Sequence, residues 1–312
     1  MSVKSSDIPA PKSGLASVFL RSQFLSKPRR PPKSTDFTGK VAMVTGASTG
    51  LGFHCCKHLL DHNISHLILA VRSVNRGEAA AAKLRREHPG VAAKVDVWEL
   101  EMGSYKSVQA FAQRAAAELP RLDMAVLNAG KISVDFEINE STGHEQTIQV
   151  NYLSTILLAI LLLPVFRKTK RYPGDSPGGL SIVNSGMSYA AKLDNRDEVP
   201  LLKSFDVKPK VWNIAAQTER YSASKLLAHL CLPSLVENVN SDEVVVNLVD
   251  PGLCKGTELH RDGKGMPLVF MELLKTMTGR TLELGSTTYV DAVAVKGKES
   301  HGCYIMDWSI KP

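Results

Sequence analysis

The chain has 312 residues, 44% hydrophobic and 22% charged, the proportions of a folded globular protein rather than a disordered or fibrous one. A net charge of +7 would suit an acidic partner, but the basic residues are scattered, and their tightest group, Lys27, Arg29, Arg30 and Lys33, lies in a Pro-rich stretch that reads as a solvated tail rather than a nucleic-acid or membrane contact. Five cysteines, of which only Cys55 and Cys56 are adjacent, give neither a disulfide framework nor metal-ligand spacing, so a reducing compartment, the cytoplasm, and no bound metal are expected.

Residues 1–38 form an extension rich in Pro, Ser and Lys, within which Leu15 to Leu25 could make a short amphipathic helix packed on the rest. Lys4 and Lys12 are not followed by a sustained apolar run, so no secretory leader is expected. The fold proper, 39–312, opens an alternation of apolar, strand-like runs and helical segments. Lys40 to Thr45 precedes a helix from Leu51, His66 to Val71 one from Arg76, and Val91 to Leu100 one from Ser104. Met124 to Asn128, Leu180 to Ser185 and Val244 to Val249 continue the series. Strands apolar on both faces and separated by helices predict a single α/β domain, a Rossmann-type doubly wound parallel sheet. The most apolar run, Tyr152 to Leu163, is short for a bilayer span and reads as a buried helix, so no transmembrane segment is expected.

After the first strand comes Thr45-Gly46-Ala47-Ser48-Thr49-Gly50-Leu51-Gly52, leading into a helix. Gly46 permits a tight turn, Gly50 lets the backbone approach a pyrophosphate, and Gly52 allows close helix–strand packing, while the helix N-terminus offers free N–H groups and a positive dipole end. Ser48, Thr49 and Leu51 are the remaining candidate contacts of this phosphate loop. A dinucleotide site also needs recognition of the adenosine ribose after the second strand, where an acidic residue would bind the 2′-OH of NAD. The strand here ends instead at Arg72-Ser73, a guanidinium and a hydroxyl suited to a 2′-phosphate, which predicts NADP(H).

The segment Tyr221-Ser222-Ala223-Ser224-Lys225 opens a helical run. Residues four apart share a helix face, so the Lys225 ammonium lies beside the Tyr221 phenol, and a neighbouring cation brings a phenol of pKa near 10 towards the operating range of an acid or base.

Taken together, these segments resemble the short-chain dehydrogenase/reductase family over about residues 39–310. Thr45–Gly52 matches the family's TGxxxGxG, Leu127-Asn128-Ala129-Gly130 matches its NNAG with Leu for the first Asn, Tyr221–Lys225 matches YxxxK, and Pro251-Gly252 matches the turn beyond the sixth strand. Asn151 stands where the family has its active-site asparagine. The catalytic serine is assigned to Ser185, at the end of the fifth strand, with Ser188 as the alternative. The resemblance implies that Ser185 and Tyr221 hydrogen-bond a substrate carbonyl oxygen, Tyr221 delivers a proton, Lys225 holds the nicotinamide ribose, and Asn151 anchors a water. It also implies cofactor contacts from Asn128, Ala129, Gly130, Pro251, Gly252, Tyr221 and Lys225.

Three departures narrow the picture. The interval from Ser185 to Tyr221 is longer than in the family's short members, an insertion at about 189–220 that suits an ordered excursion over the site. Glu101 replaces the usual Asp beside the adenine, and Thr257 stands one residue beyond the usual cofactor threonine. Residues 257–282 fall where the family carries its substrate lid, and Met266, Leu268, Val269 and Phe270 there suggest a lipophilic small molecule. Within the family, Ile68–Arg72, Gly77–Ala82 and the closing segment from Ser300 resemble fungal secondary-metabolite reductases and retinol-dehydrogenase-like or protochlorophyllide-reductase-like members.

The expectation is an NADP(H)-dependent reductase or dehydrogenase of a carbonyl or secondary alcohol. Alternatives are a C=C or C=N reductase on the same Tyr/Lys platform, or a non-catalytic NADP-binding regulatory protein. With the insertion near the face through which short members associate, a monomer or weak homodimer is expected.

Overall fold

The computed structural model describes residues 5–9, 15–169, 176–257 and 276–311. Side chains of a strand alternate between faces, and in β1 (Val41–Thr45) that alternation is complete. Val41 and Met43 enter one core cluster, Ala42 and Val44 the other. The chain continues as α1 (Gly50–Asp61), β2 (His66–Val71), α2 (Val74–Glu87), β3 (Lys94–Glu99), α3 (Tyr105–Glu118) and β4 (Met124–Leu127). Then follow α4 (Gln146–Lys168), β5 (Gly178–Val183), the short α5 (Leu201–Ser204), α6 (Ile214–Val236), β6 (Val244–Asp250) and α7 (Leu282–Val290). A closing hairpin pairs β7 (Tyr304–Met306) with β8 (Ser309–Lys311).

The strands form one sheet in the order β3-β2-β1-β4-β5-β6-β7-β8. All pairs are parallel except β7–β8, which is antiparallel, so the expected all-parallel sheet carries an antiparallel edge. The order reverses between β1 and β4, and that switch point opens a crevice at the C-terminal strand ends. One face of the sheet is covered by α1, α2 and α7, through Leu59, Leu84 and Val290, and the other by α3, α4 and α6, through Phe111, Leu162 and Leu232. At 23 residues α4 is longer than the apolar run suggested, and apolar enough to cross a membrane, yet Leu158, Ala159 and Leu162 are fully buried as a core layer.

Several boundaries shift towards the site. β5 ends at Val183, which leaves Asn184 and Ser185 in the turn beyond the strand. The helix bearing Tyr221 starts at Ile214, capped by the Asn213 side chain, whose Oδ1 accepts from Ala216 N at 3.1 Å, so Tyr221 lies two turns inside α6 rather than at its start.

The segment between β5 and α6 is held by side-chain anchors that its polar sequence does not announce. Arg220 pairs with the fully buried Glu145 at 3.4 Å and lies against the rings of Phe136, Phe205 and Trp212. Trp212 Nε1 and Gln217 Nε2 both donate to Val134 O, at 2.8 and 2.7 Å.

In the N-terminal extension a helix runs from Leu15 to Leu20 and widens into a π-type turn over Arg21–Leu25. Gln23 Nε2 donates to Leu253 O and Thr278 O at 2.8 and 2.9 Å, and Ser22 Oγ donates to Asp307 Oδ1 at 2.6 Å. Of the expected lid, residues 258–275 lie outside the described residues; at its near and far ends, Arg280 N donates to Leu253 O at 2.8 Å.

Candidate active site

The loop after β1 has the backbone its glycines were expected to provide. Gly46 and Gly50 sit at φ +65° and +60°, and a Cβ on Gly52 would lie 2.5 Å from Gly46 O. A Cβ on Gly50 would meet nothing within 4 Å, so the loop faces open space there. Ser48, Thr49 and Gly50 line a cavity of about 470 Å³ with Arg76 and Lys83. Leu51, by contrast, packs its side chain into the core, leaving only its backbone for a ligand.

Asn128 braces this loop from β4: its Nδ2 donates to Thr45 O at 2.9 Å while its Oδ1 accepts from the buried Tyr289 hydroxyl at 3.2 Å. Ala129 N donates to Thr45 Oγ1 at 2.8 Å, which ties the β4 end to β1. Gly130 stands beside two of the other candidate groups, where a Cβ would approach Asn151 Oδ1 to 3.3 Å and Lys225 Nζ to 3.9 Å.

Tyr221 and Lys225 share the inner face of α6. The Lys225 ammonium lies 5.6 Å from the Tyr221 ring centre and donates to Val183 O, at the end of β5, at 2.9 Å. The Ser185 hydroxyl faces the Tyr221 phenol and favours its ionised form. Ser188 points elsewhere: it is buried and hydrogen-bonded with His229 Nε2 at 3.1 Å, so the geometry brings Ser185, not Ser188, to Tyr221. Asn151 lies in a π-type turn of α4, Gln149–Ser154, a local widening common at functional sites. Its Oδ1 accepts from Lys131 N at 2.8 Å, and its Nδ2 donates to Lys131 O and Ser224 Oγ at 2.9 and 3.0 Å. Those bonds lock the α4 turn to α6.

The protonation of the pair differs from the expectation. Burial pushes the Tyr221 phenol up to about 12, outweighing the Ser185 hydroxyl that acts against it. Lys225 was expected to lower Tyr221, yet burial pushes Lys225 itself down to about 8, with the negative charge of Asp250 opposing the shift.

At the end of β2, Arg72 reaches Glu101 Oε2 with its Nε at 3.8 Å, and both side chains are exposed enough that water screens the pair. Glu101 also accepts from Gly103 N at 2.7 Å, so its carboxylate is tied to its own turn. Ser73 caps α2, its Oγ accepting from Arg76 N at 3.4 Å. Beyond β6, Gly252 takes φ +75° and Arg280 Nη1 donates to Pro251 O at 3.0 Å. Thr257 is half-buried at the last described position of that loop.

Two residues at this site were missed by the sequence reading. Tyr289 has no local signal. Asp250 does have one, an acidic residue closing a strand otherwise made of Val244-Val245-Val246-Asn247-Leu248-Val249, every position of which is buried. Its Oδ2 accepts from Gly186 N at 2.9 Å and the Tyr304 hydroxyl at 3.2 Å, and its Oδ1 from Gly252 N at 2.8 Å.

Open α/β sheets bind ligands at the topological switch point, and a polar cluster of hydroxyl, phenol and amine converging beside such a crevice defines the class as a nucleotide-binding oxidoreductase. Comparison with known proteins narrows it. The family model described as short chain dehydrogenase matches residues 40–184. A short chain dehydrogenase/reductase of Annulohypoxylon moriforme, mfmJ, is 52% identical over 94% of this chain and 83% of its own, and the short chain dehydrogenase virL of Hypocrea virens is 40% identical over the same shares. The chain belongs to the short-chain dehydrogenase/reductase family. Among solved structures, the Pseudomonas aeruginosa RhlG/NADP complex superposes with a TM-score of 0.62 at 20% identity, over 87% of this chain and 95% of that one, a likeness of fold.

Proposed function

We propose that this oxidoreductase is an NADP(H)-dependent reductase of a carbonyl group, or dehydrogenase of the matching secondary alcohol, on a lipophilic small molecule. The observation that carries the reading is the Lys225 ammonium 5.6 Å from the Tyr221 ring centre, with the Ser185 hydroxyl facing the phenol. The residues fit the cofactor. The open cradle at Gly46, Ser48, Thr49, Gly50, Leu51 and Gly52 suits a pyrophosphate at the α1 N-terminus, with Arg72 and Ser73 towards a 2′-phosphate and Glu101 towards the adenine. Asn128, Ala129, Gly130, Pro251, Gly252 and Thr257 would flank the nicotinamide half, with Tyr221 and Lys225 at its ribose.

When bound, the reduced nicotinamide supplies a hydride to the carbonyl carbon. Negative charge then develops on the carbonyl oxygen, and hydroxyl donors aimed at that oxygen stabilise the transition state more than the ground state. Ser185 and Tyr221 are those donors. Tyr221 also completes the reduction by passing its proton to the oxygen, and Lys225 and Asn151 set the position and charge behind it. The RhlG complex, whose description includes NADP, supports the cofactor assignment, as does Arg72 in place of an acid. The apolar sequence between Arg261 and Arg280 supports a lipophilic substrate.

Tyr221→Phe keeps the ring and removes the acid. It is expected to abolish turnover of ketone substrates while NADPH binding, followed by fluorescence titration, stays within about threefold of wild type. Wild-type turnover in this variant would end the proposal.

A further inference from the structure

Asp250 lies behind the catalytic groups with nearly all of its surface covered, 4% remaining exposed. A buried carboxylate is costly unless hydrogen bonds and charges compensate it, and three donors converge on this one. Gly186 N comes from the turn that begins with Ser185, Gly252 N from the turn beyond β6, and the Tyr304 hydroxyl from β7. Such convergence specifies a charge at a fixed place. That place is also one strand away from the catalytic amine, because Lys225 binds Val183 O and Val183 is paired with Val249, the neighbour of Asp250.

We propose that Asp250 is a positioning residue for the reaction: its carboxylate ties the Ser185 turn to the Pro251–Gly252 turn and supplies the fixed negative charge behind the Tyr221–Lys225 pair. The proposal rests on the reductase reading above, which assigns Ser185, Tyr221 and Lys225 their roles. Two consequences separate it from a purely structural bond. The first is geometric: without the tie, Ser185 and the cofactor-side turn lose their common anchor. The second is electrostatic: a negative charge favours the protonated form of every neighbour, and both Tyr221 and Lys225 are held upward by Asp250.

The surroundings of Asp250 decide how that charge is read out. From α6 it faces Tyr221 and Lys225. From the closing hairpin it faces Tyr304 and Asp307, and beside them Arg280, whose guanidinium favours the ionised carboxylate while Asp307 disfavours it. Tyr189, Cys254 and Tyr289 complete the set of titratable groups that sense it. Burial raises the Asp250 carboxyl above its ordinary range, and the two backbone N–H bonds work against that rise. Ionisation of Asp250 is therefore the step that arms the site as pH increases from acid.

Two variants test this. Asp250→Asn keeps the size and removes the charge. It is expected to lower kcat for ketone reduction on the order of tenfold and to move the alkaline limb of the rate profile to lower pH by roughly one unit, since both neighbours lose a charge that raised them. A second readout needs no turnover: in the cofactor-free protein, the phenolate absorbance titration of Tyr221, taken as the difference between proteins with and without Tyr221→Phe, should shift the same way. Tyr304→Phe leaves the ring in its packing against His229 and Tyr189 and removes one donor from the carboxylate. Losing that donor raises the Asp250 pKa, so the acid limb of the reduction profile should move to higher pH. The second variant carries the test if the first does not fold. Unmoved limbs and an unmoved titration in folded variants would overturn the role of Asp250, even with Tyr221→Phe inactive. An active Tyr221→Phe would instead overturn the reading of the site itself.

Discussion

Tyr221 is held in its protonated form across the neutral range, because burial sets its phenol at about 12. A proton donor in the acid form is what carbonyl reduction requires, whereas alcohol oxidation requires the phenolate. Lys225, with its pKa pushed down to about 8, is charged below that pH and neutral above it. Above the acid limb set by Asp250, reduction is therefore expected to stay level to about pH 8 and fall beyond it as the ammonium is lost, while oxidation climbs with pH. Initial rates measured in both directions across one buffer series check this, and an oxidation rate independent of pH would contradict it.

The proposed choice of NADP(H) rests on Arg72, at the same scale. Each charge-assisted hydrogen bond to a 2′-phosphate is worth roughly 1.5–3 kcal/mol, so NADPH should exceed NADH by at least about tenfold in kcat/KM. Glu101 shares the guanidinium at 3.8 Å but is too exposed to hold it against a phosphate. Arg72→Glu should erase or invert the preference, as paired titrations with the two cofactors would show. The glycines, Arg72, Tyr221 and Lys225 were legible in the sequence because their chemistry depends on spacing along a single turn or helix. Asp250 and Tyr289 were not, because their partners arrive from distant parts of the chain: Asp250 accepts from Gly186 N across 64 positions, and Tyr289 meets Asn128 across 161.

Among the elements, α6 differs most from its sequence pattern, which suggested a start at Tyr221. Two earlier turns exist because Arg220, Gln217 and Trp212 anchor the insertion to the 134–145 segment, and that anchoring depends on tertiary partners with no periodic signature. Arg220 is the pivot. Its guanidinium is 10% exposed beside Glu145 at 0%, and Glu145 in turn caps α4 by accepting from Thr147 N and Ile148 N at 3.0 Å. Removing one partner of a buried pair leaves the other unpaired at a cost of about 3–5 kcal/mol. Arg220→Met is therefore expected to lower the melting temperature clearly and to open the segment between β5 and α6 to trypsin at Lys210. Calorimetry and timed digestion check the two effects separately. The strands, by contrast, followed their apolar runs closely, β2 matching end to end, and only the three-residue β7 and β8 were too short to signal themselves.

At the scale of the whole molecule, the N-terminal segment is joined to the far end of the chain. Arg280 Nη2 donates to Asp307 Oδ1 at 2.6 Å and to Ser22 O at 2.8 Å, all within a buried knot that Gln23 extends to Leu253 and Thr278. Deleting residues 1–25 removes several of these bonds, each worth about 0.5–1.5 kcal/mol, so a loss on the order of 3 kcal/mol is expected by urea unfolding. Unchanged stability would show the knot to be closed equally well by solvent.

The knot also fixes an order of events during synthesis. Ser22 is made well before its partner Asp307, which follows 285 positions later. At roughly 5–20 residues per second, the interval is on the order of tens of seconds. Through that time the sheet can assemble from β1 to β6 while the bonds that Ser22 shares with Arg280 and Asp307 wait, so a segment made before the sheet is fastened in full only after it.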